Sequence, residues 1–331
     1  MRSRITGLYV ILLIANLAIW ALALVAFGGD AVLLGTALLA YGFGLRHAVD
    51  ADHIAAIDNV TRKLMHDGKR PAAVGFFFAL GHSTVVIAAS VVVAVTAGSL
   101  EASHPRLVAA GGVVGTAVSA LFLFAIAAVN MVVLAGVFRL LRRGGRYGDA
   151  ELDRFLARRG LMARVLGRLT RLIGQSWHMY PLGFLFGLGF DTATEIALLG
   201  ISAAAAAHGL SVWSILVFPA LFTAGMSLVD TTDGVVMLGA YGWAFANPLR
   251  KLYYNLAVTA VSVVVAVVIG GIEAFGLSAN RVGLSGGVWD AVAFANDHFA
   301  VLGYAIVAIF GLSWLVSVVV YRLKGYDKAG A

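Results

Sequence analysis

Long apolar stretches recur along the whole chain and constrain its fold more than any other feature. An α-helix needs about 20 apolar residues to cross the hydrocarbon core of a membrane. Only 12% of the 331 residues are charged, against about 25% in an average soluble domain. The sequence therefore predicts an all-α, polytopic membrane protein with eight transmembrane helices, at 7–27, 31–57, 73–98, 107–140, 177–206, 210–243, 252–277 and 299–321.

The basic residues are distributed unevenly between the loops, and this asymmetry sets the predicted topology. If the N-terminus is cytoplasmic, 21 of the 24 Lys and Arg residues lie on the cytoplasmic side. Because cytoplasmic loops carry an excess of Lys and Arg, we predict a protein of the cytoplasmic (inner) membrane with both termini in the cytoplasm. Ten arginines fall in the longest polar segment, 139–176, which separates a first four-helix half, 1–138, from a second, 177–331.

A net charge of +7 is compatible with a nucleic-acid partner, but the location of the basic residues favours lipid. Basic segments next to a membrane span bind the anionic headgroups of the inner leaflet. The bilayer is therefore the predicted partner of 139–176, which is either a helix lying on that leaflet or a solvated linker, and no nucleic acid is expected.

The two halves share a weak sequence similarity. Phe43-Gly44-Leu45 in the second span resembles Phe186-Gly187-Leu188 in the fifth, and 78–83 in the third span resembles 222–227 in the sixth. The second and fifth spans run in opposite directions in the predicted topology, so spans 2–3 and 5–6 would form an inverted repeat, with a site near the midplane between them. Chance similarity between Ala-, Leu- and Gly-rich segments is the alternative.

Ionisable residues are concentrated inside the predicted spans, where they are costly and mark functional sites by default. The six carboxylates and one arginine among them give a formal charge of −5 when every histidine is neutral. Such a cluster needs cations or protons to balance it in a medium of low dielectric constant. Its members are Arg46, His47, Asp50, Asp52, His53, His82, Asp191, Glu195, Asp230 and Asp233.

Helical spacing predicts which of these side chains face one point. At about 100° per residue, His47, Asp50 and His53 fall within about 120° of arc on the second span. Asp52 points away from that face, so either it makes a second contact or the segment departs from a regular helix. Arg46 and Asp50 have the i, i+4 spacing of an ion pair.

On the sixth span, Met226, Asp230 and Asp233 follow the i, i+4, i+7 pattern and offer a thioether and two carboxylates on one face. Each residue also has a purely structural interpretation. A lone histidine such as His82 can bond to a neighbouring helix, Asp191 can cap a broken helix, and Met226 is most often packing.

The donor types indicate a metal rather than another ligand. The chain has no cysteine, which excludes thiolate sites, and imidazole with carboxylate suits Ni, Co, Zn or Fe rather than Cu(I). Several histidine nitrogens argue against Mg²⁺ or Ca²⁺. The residues alone do not decide among the borderline metals.

Four motifs make the chain similar to the nickel/cobalt transporter (NiCoT) family of eight-span permeases. They are Arg46-His47-Ala48-Val49-Asp50-Ala51-Asp52-His53-Ile54, Leu80-Gly81-His82-Ser83-Thr84-Val85-Val86, Leu188-Gly189-Phe190-Asp191-Thr192-Ala193-Thr194-Glu195 and Gly225-Met226-Ser227-Leu228-Val229-Asp230-Thr231-Thr232-Asp233. The resemblance implies selective, high-affinity uptake of Ni²⁺, Co²⁺ or both. It also implies that His47, Asp52 and His53, the His-x4-Asp-His core, matter most.

The sequence thus predicts a secondary transporter, not an enzyme, whose divalent metal ion is substrate rather than resident cofactor. No G-x-x-x-x-G-K-[ST] phosphate-binding loop occurs, and no ATPase subunit is expected to be required. A metal exporter of related type and a membrane metalloenzyme are the alternatives. The predicted ligands are His47, Asp50, Asp52, His53, His82, Asp191, Glu195, Met226, Asp230 and Asp233. Hydrogen bonds to these ligands are predicted from Arg46, Ser83, Thr192, Thr194 and Thr231.

Overall fold

The computed structural model describes residues 2–96, 105–142, 173–188, 193–245 and 248–323. In these ranges the chain is helical and contains no β-strand, which confirms the predicted all-α class. The helices are α1 (Arg2–Phe27), α2 (Ala31–His47), α3 (Ala51–His66), α4 (Val74–Thr96), α5 (Pro105–Arg142), α6 (Met179–Gly187), α7 (Ala193–Ala207), α8 (Val212–Ile215), α9 (Val217–Phe245), α10 (Pro248–Val282), α11 (Val288–Asp297) and α12 (Phe299–Leu323). A 3₁₀ turn, Ser176–His178, precedes α6.

The outer surface carries large apolar side chains that a soluble protein would bury. Val25 is 85% exposed and Trp213 is 82% exposed, and α1 presents apolar residues along most of its length. Such a continuous apolar surface is stable against lipid rather than water. Among the described residues four helices are long and apolar enough to cross a membrane, or six if each of two bent pairs is one span. The chain is therefore a multi-pass membrane protein.

The predicted second span is broken. Its two parts, α2 and α3, meet at an angle of 51°, because Asp50 has an extended backbone with φ −65° and ψ 148°. α3 then runs to His66, nine residues past the predicted end of the span. Arg62 is one of the basic residues that the predicted topology placed on the cytoplasmic side, beyond the end of the second span at 57. It is instead buried inside the helical bundle.

Glycine brings α2 into direct contact with α9. A Cβ atom built on Gly44 would lie 2.1 Å from the carbonyl oxygen of Phe222, and one built on Gly225 would lie 2.8 Å from the carbonyl oxygen of Tyr41. Phe27, at the end of α1, stacks on Phe218 near the start of α9 with 5.1 Å between ring centroids, and Tyr9, near the start of α1, bonds to Thr232 further along α9. α1 is therefore antiparallel to α9. α2 folds back along α1, as the hydrogen bond from Tyr41 to Asn16 shows, and so runs parallel to α9 with their backbones touching.

The same arrangement recurs between α6 and α4. A Cβ atom on Gly183 would lie 2.1 Å from the carbonyl oxygen of Phe78, and one on Gly81 would lie 1.9 Å from that of Tyr180. Gly187, at the end of α6, lies against His82 further along α4, so these helices are also parallel.

The helices α4 and α9 themselves cross in opposite directions. Gly75, at the start of α4, lies against the backbone of Asp230 in the middle of α9, and α8, which immediately precedes α9, also contacts α4. Both contacts are met only when α4 and α9 run antiparallel.

The close approach at Gly44 gives a testable expectation. Gly44→Ala should lower the free energy of unfolding by about 1–3 kcal/mol, because the added methyl group overlaps the Phe222 carbonyl and the helices must separate. Gly42→Ala is the matched control on the same helix, since a Cβ atom there has no neighbour within 4 Å. Thermal unfolding of both purified variants in detergent measures the difference, and equal melting temperatures would contradict the packing.

Apolar clusters of buried residues lie around the helix crossings. The first apolar core joins α1, α2, α4 and α9 and includes Phe27, Ala37, Ala40, Phe218, Leu221 and Phe222. The second apolar core joins α3, α4 and α6 and includes Ile57, Val60, Val74, Phe78, Met179 and Phe186. Between these two cores the broken second span places a group of polar side chains.

Candidate metal site

Three histidines meet at the break between α2 and α3. His47 is the last residue of α2, His53 lies in the first turn of α3, and His82 lies in the middle of α4. The ring centroids are 4.7 Å apart for His47 and His53, 4.7 Å for His47 and His82, and 4.9 Å for His53 and His82. All three side chains are buried. The rings thus form a nearly equilateral triangle away from water.

Each of these imidazoles contacts a buried carboxylate of its own. Asp50 belongs to the break itself, Glu195 to α7 and Asp230 to α9. The contacts are His47 Nδ1 to Asp50 at 3.1 Å, His53 Nδ1 to Asp230 at 3.3 Å and His82 Nε2 to Glu195 at 2.9 Å. A carboxylate on one ring nitrogen fixes the tautomer and orientation of the imidazole and makes it a better metal ligand.

The histidines also contact one another. His47 Nε2 lies 2.9 Å from His82 Nε2, the nitrogen that also contacts Glu195. His53 Nε2 and His82 Nδ1 are buried with no hydrogen-bond partner among the described residues. One nitrogen from each ring can be chosen so that all three lie within 4.8 Å of one another. Neutral imidazole nitrogens at such spacing can share one bound cation.

Three of the predicted hydroxyl residues are buried, and one of them lies beside the triangle. Thr194 is buried, and its Oγ1 lies 3.3 Å from His47 Nδ1. The hydroxyls of Ser83 and Thr231 are buried and have no hydrogen-bond partner within the part of the chain that the structure describes. Of these three residues, Thr194 alone is seen in contact with one of the three histidines within the described ranges.

Other predicted residues lie elsewhere. Met226 is buried in the first apolar core, which matches the packing alternative. Arg46 is exposed whereas Asp50 is buried against His47, so the predicted Arg46–Asp50 ion pair is wrong. Asp52 is half-buried in the first turn of α3.

Asp233 is half-buried, one turn beyond Asp230, and its Oδ2 has no hydrogen-bond partner in the described ranges. Asp191 and Thr192 lie outside the described residues, as does most of the Arg-rich segment 139–176.

The histidines converge for a different reason from the one that helical periodicity gave. A continuous helix would place His47 and His53 about 120° apart around its axis. The interruption at 48–50 instead lets α3 begin on a new axis, so that both rings turn toward His82. From the direction of Asp52 we predicted either a second contact or a departure from a regular helix. The structure shows the departure.

A second buried polar network, which we did not predict, lies one to two turns further along α3. Asp58 accepts hydrogen bonds from Tyr241 and from Ser262 Oγ, the latter at 2.8 Å. Arg62 Nη1 donates to Thr259 Oγ1 at 2.7 Å and Arg62 Nη2 donates to Asn59 Oδ1 at 3.1 Å. The i, i+4 spacing of Asp58 and Arg62 was the available sequence signal.

The fold and the site define a class of protein: a multi-pass helical membrane protein with a buried cluster of imidazoles and carboxylates suited to a metal cation. A family model described as NicO, high-affinity nickel-transport protein, matches residues 33–320. No solved structure is significantly similar to the chain.

Several curated proteins are similar to the chain over most of its length. The high-affinity nickel transport protein of Cupriavidus necator is 56% identical, with 99% of this chain and 94% of that protein covered. The nickel transporter NicT of Mycobacterium tuberculosis is 50% identical, with 91% and 82% covered. The cobalt transport protein NhlF of Rhodococcus rhodochrous is 43% identical, with 88% and 84% covered.

The chain therefore belongs to the NicO family of high-affinity nickel-transport proteins. This membership makes it a transporter and not an enzyme, and it confirms the resemblance that the four sequence motifs carried.

Proposed function

We propose that the protein is a secondary transporter that takes up Ni²⁺, Co²⁺ or both across the cytoplasmic membrane, binding the ion at His47, His53 and His82. The observation that carries the proposal is the triangle of buried imidazoles, each in contact with its own carboxylate. The functions for which the three relatives are named, nickel transport in two and cobalt transport in one, support the choice of metals.

The charge of the site supports a divalent cation as its ligand. Asp50, Glu195 and Asp230 place three carboxylates around three imidazoles, all of them buried. An unbalanced group of negative charges in a low-dielectric interior is costly, and a divalent ion offsets most of it. Asp52, Asp191, Asp233 and Met226 remain proposed ligands of the ion.

We further propose eight spans, cytoplasmic termini and an inverted repeat. The equivalent packing of α2 on α9 and of α6 on α4, through Gly44 and Gly183, supports the repeat. The antiparallel course of α4 and α9 agrees with an inverted relation between the two units, and the histidines lie between them. Secondary transporters of this kind bind substrate near the midplane, at broken helices.

The membrane potential is a sufficient energy source. Inward movement of a divalent cation down a potential of about 100 mV, negative inside, releases about 4.6 kcal/mol. Because about 1.4 kcal/mol corresponds to a tenfold ratio, this supports accumulation over about three decades.

The test is uptake of radiolabelled Ni²⁺ by cells that make the protein, compared with cells carrying an empty vector. We expect uptake that unlabelled Co²⁺ and Ni²⁺ suppress more strongly than Zn²⁺ or Mn²⁺, and that an ionophore collapsing the membrane potential abolishes. Suppression by Zn²⁺ at least as strong as that by Ni²⁺ would argue against the proposed metals.

Growth in toxic Ni²⁺ separates uptake from export. An importer sensitises the cells, because the ion accumulates inside, whereas an exporter protects them. Protection would overturn the proposed direction.

A further inference from the structure

Two phenylalanine rings cover the triangle of histidines. The ring of Phe222 lies 5.4 Å from that of His47, centroid to centroid, and the ring of Phe78 lies 4.8 Å from that of His53. Both phenylalanines are fully buried. Aromatic rings therefore stand directly against the proposed ligands.

The two rings occupy equivalent places in the structure. Phe222 lies on α9, and its carbonyl oxygen rests on Gly44 of α2. Phe78 lies on α4, and its carbonyl oxygen rests on Gly183 of α6. In both cases the helix that carries the glycine ends within four residues of it. α2 ends at His47 and α6 ends at Gly187.

The rings lie on opposite sides of the site. On α4, the ring of Phe78 lies 4.8 Å from that of His53, whereas His82, about one turn later, lies 4.7 Å from His47 and 4.9 Å from His53. Going along α9, Phe222 stands against His47, and Asp230, two turns later, stands against His53. The antiparallel helices therefore bring one phenylalanine to each end of the site.

Apolar side chains continue beyond each ring. Phe222 belongs to the first apolar core with Phe218 and Leu221. Phe78 belongs to the second apolar core and contacts Phe186 with 5.2 Å between ring centroids. A hydrated cation cannot cross such packing, because an apolar constriction excludes the water that the ion carries.

We propose that Phe78 and Phe222 are the two gates of the transport path, each closing the histidine site toward one face of the membrane. The proposal rests on the proposed function, since it assigns the histidines as the ion site. Because the carbonyl of each phenylalanine packs on a glycine of a neighbouring helix, sliding of α9 along α2 moves Phe222 relative to His47, and sliding of α4 along α6 moves Phe78 relative to His53. Alternating exposure then means that one ring moves while the other stays.

The absence of cysteine from the chain allows a direct test. Thr194→Cys places a single thiol next to His47, in the buried interior between the two gates. The reporter is combined with Phe78→Ala or with Phe222→Ala. A membrane-impermeant methanethiosulfonate is then applied to right-side-out and to inside-out membrane vesicles, and the labelling rate is measured.

We expect each alanine variant to raise the labelling rate from one face only, by about tenfold or more. With cytoplasmic termini, Phe222→Ala opens the outer face and Phe78→Ala opens the cytoplasmic face. Leu123→Ala on α5 is the control, because that side chain is equally buried but packs in a separate apolar cluster with Ile126 and Ile269. Labelling from the same face in both variants, or rates no higher than in the Leu123→Ala control, would overturn the proposal.

A milder pair covers the case in which alanine prevents folding. Phe78→Leu and Phe222→Leu keep most of the apolar volume, and they should show the same opposed sidedness with smaller increases. The labelling needs no metal, so it is independent of the proposed cargo. Opposed sidedness without Ni²⁺ uptake would refute only the cargo, whereas Ni²⁺ uptake without opposed sidedness would refute only the gates.

Discussion

His53→Ala is expected to lower both Ni²⁺ affinity and Ni²⁺ uptake by more than about 100-fold, beyond the 10–100-fold that loss of a ligand-orienting partner causes. His53 is completely buried, its Nδ1 is held by Asp230, and its Nε2 has no hydrogen-bond partner among the described residues. Removal of the ring leaves the proposed site with two imidazoles. Radiolabelled uptake in cells and equilibrium dialysis of the purified protein measure the two quantities.

Two further variants make this result specific. His208→Ala removes an exposed histidine at the end of α7 and should leave uptake unchanged. Asp230→Asn keeps the shape of the side chain that holds His53 and should lower affinity by about 10–100-fold. Normal uptake by folded His53→Ala protein would remove this histidine from the mechanism.

Asp58→Ala should produce the largest loss of stability in the described part of the chain, about 3–5 kcal/mol, because it removes the negative charge that balances a buried arginine. Asp58 and Arg62 are one turn apart on α3 and both fully buried. The substitution also leaves the hydroxyls of Tyr241 and Ser262 without their acceptor. Thermal unfolding in detergent measures the effect.

The matched control is Asp67→Ala, at the other end of the same helix. Asp67 forms an ion pair with Lys63 at 3.0 Å, and its side chain is 44% exposed. Exposed pairs contribute about 0–1 kcal/mol, so the two aspartates should differ clearly. Adding Arg62→Met to Asp58→Ala should recover part of the lost stability, since the uncompensated charge is then gone. Equal melting temperatures for Asp58→Ala and Asp67→Ala would show that Asp58 does not offset the charge of the buried Arg62.

The register between the two halves shows what sequence similarity cannot settle. The sequence similarity pairs Gly44 with Gly187. The contacts instead make Gly44 equivalent to Gly183, because Gly44 packs on Phe222 and Gly183 packs on the corresponding residue, Phe78. The difference is about one helical turn. Helices rich in Ala, Leu and Gly look alike after each turn, so only the packing of a glycine against a particular carbonyl fixes the alignment.

The sequence by itself determined the class of the protein and most of its site. Apolar length is a property of consecutive residues, and the cost of a charge in lipid makes intramembrane His, Asp and Glu informative without any structure. His47, His53 and His82 were therefore predictable as a group, together with Asp50, Glu195 and Asp230.

Only the tertiary structure decided which carboxylate holds which imidazole, that Met226 lies in an apolar core, and that Asp58 and Arg62 are buried together. These contacts depend on the break at 48–50 and on the point at which α3 ends. Both are set by packing between distant segments, because a helix continues or stops according to what its neighbours can bury.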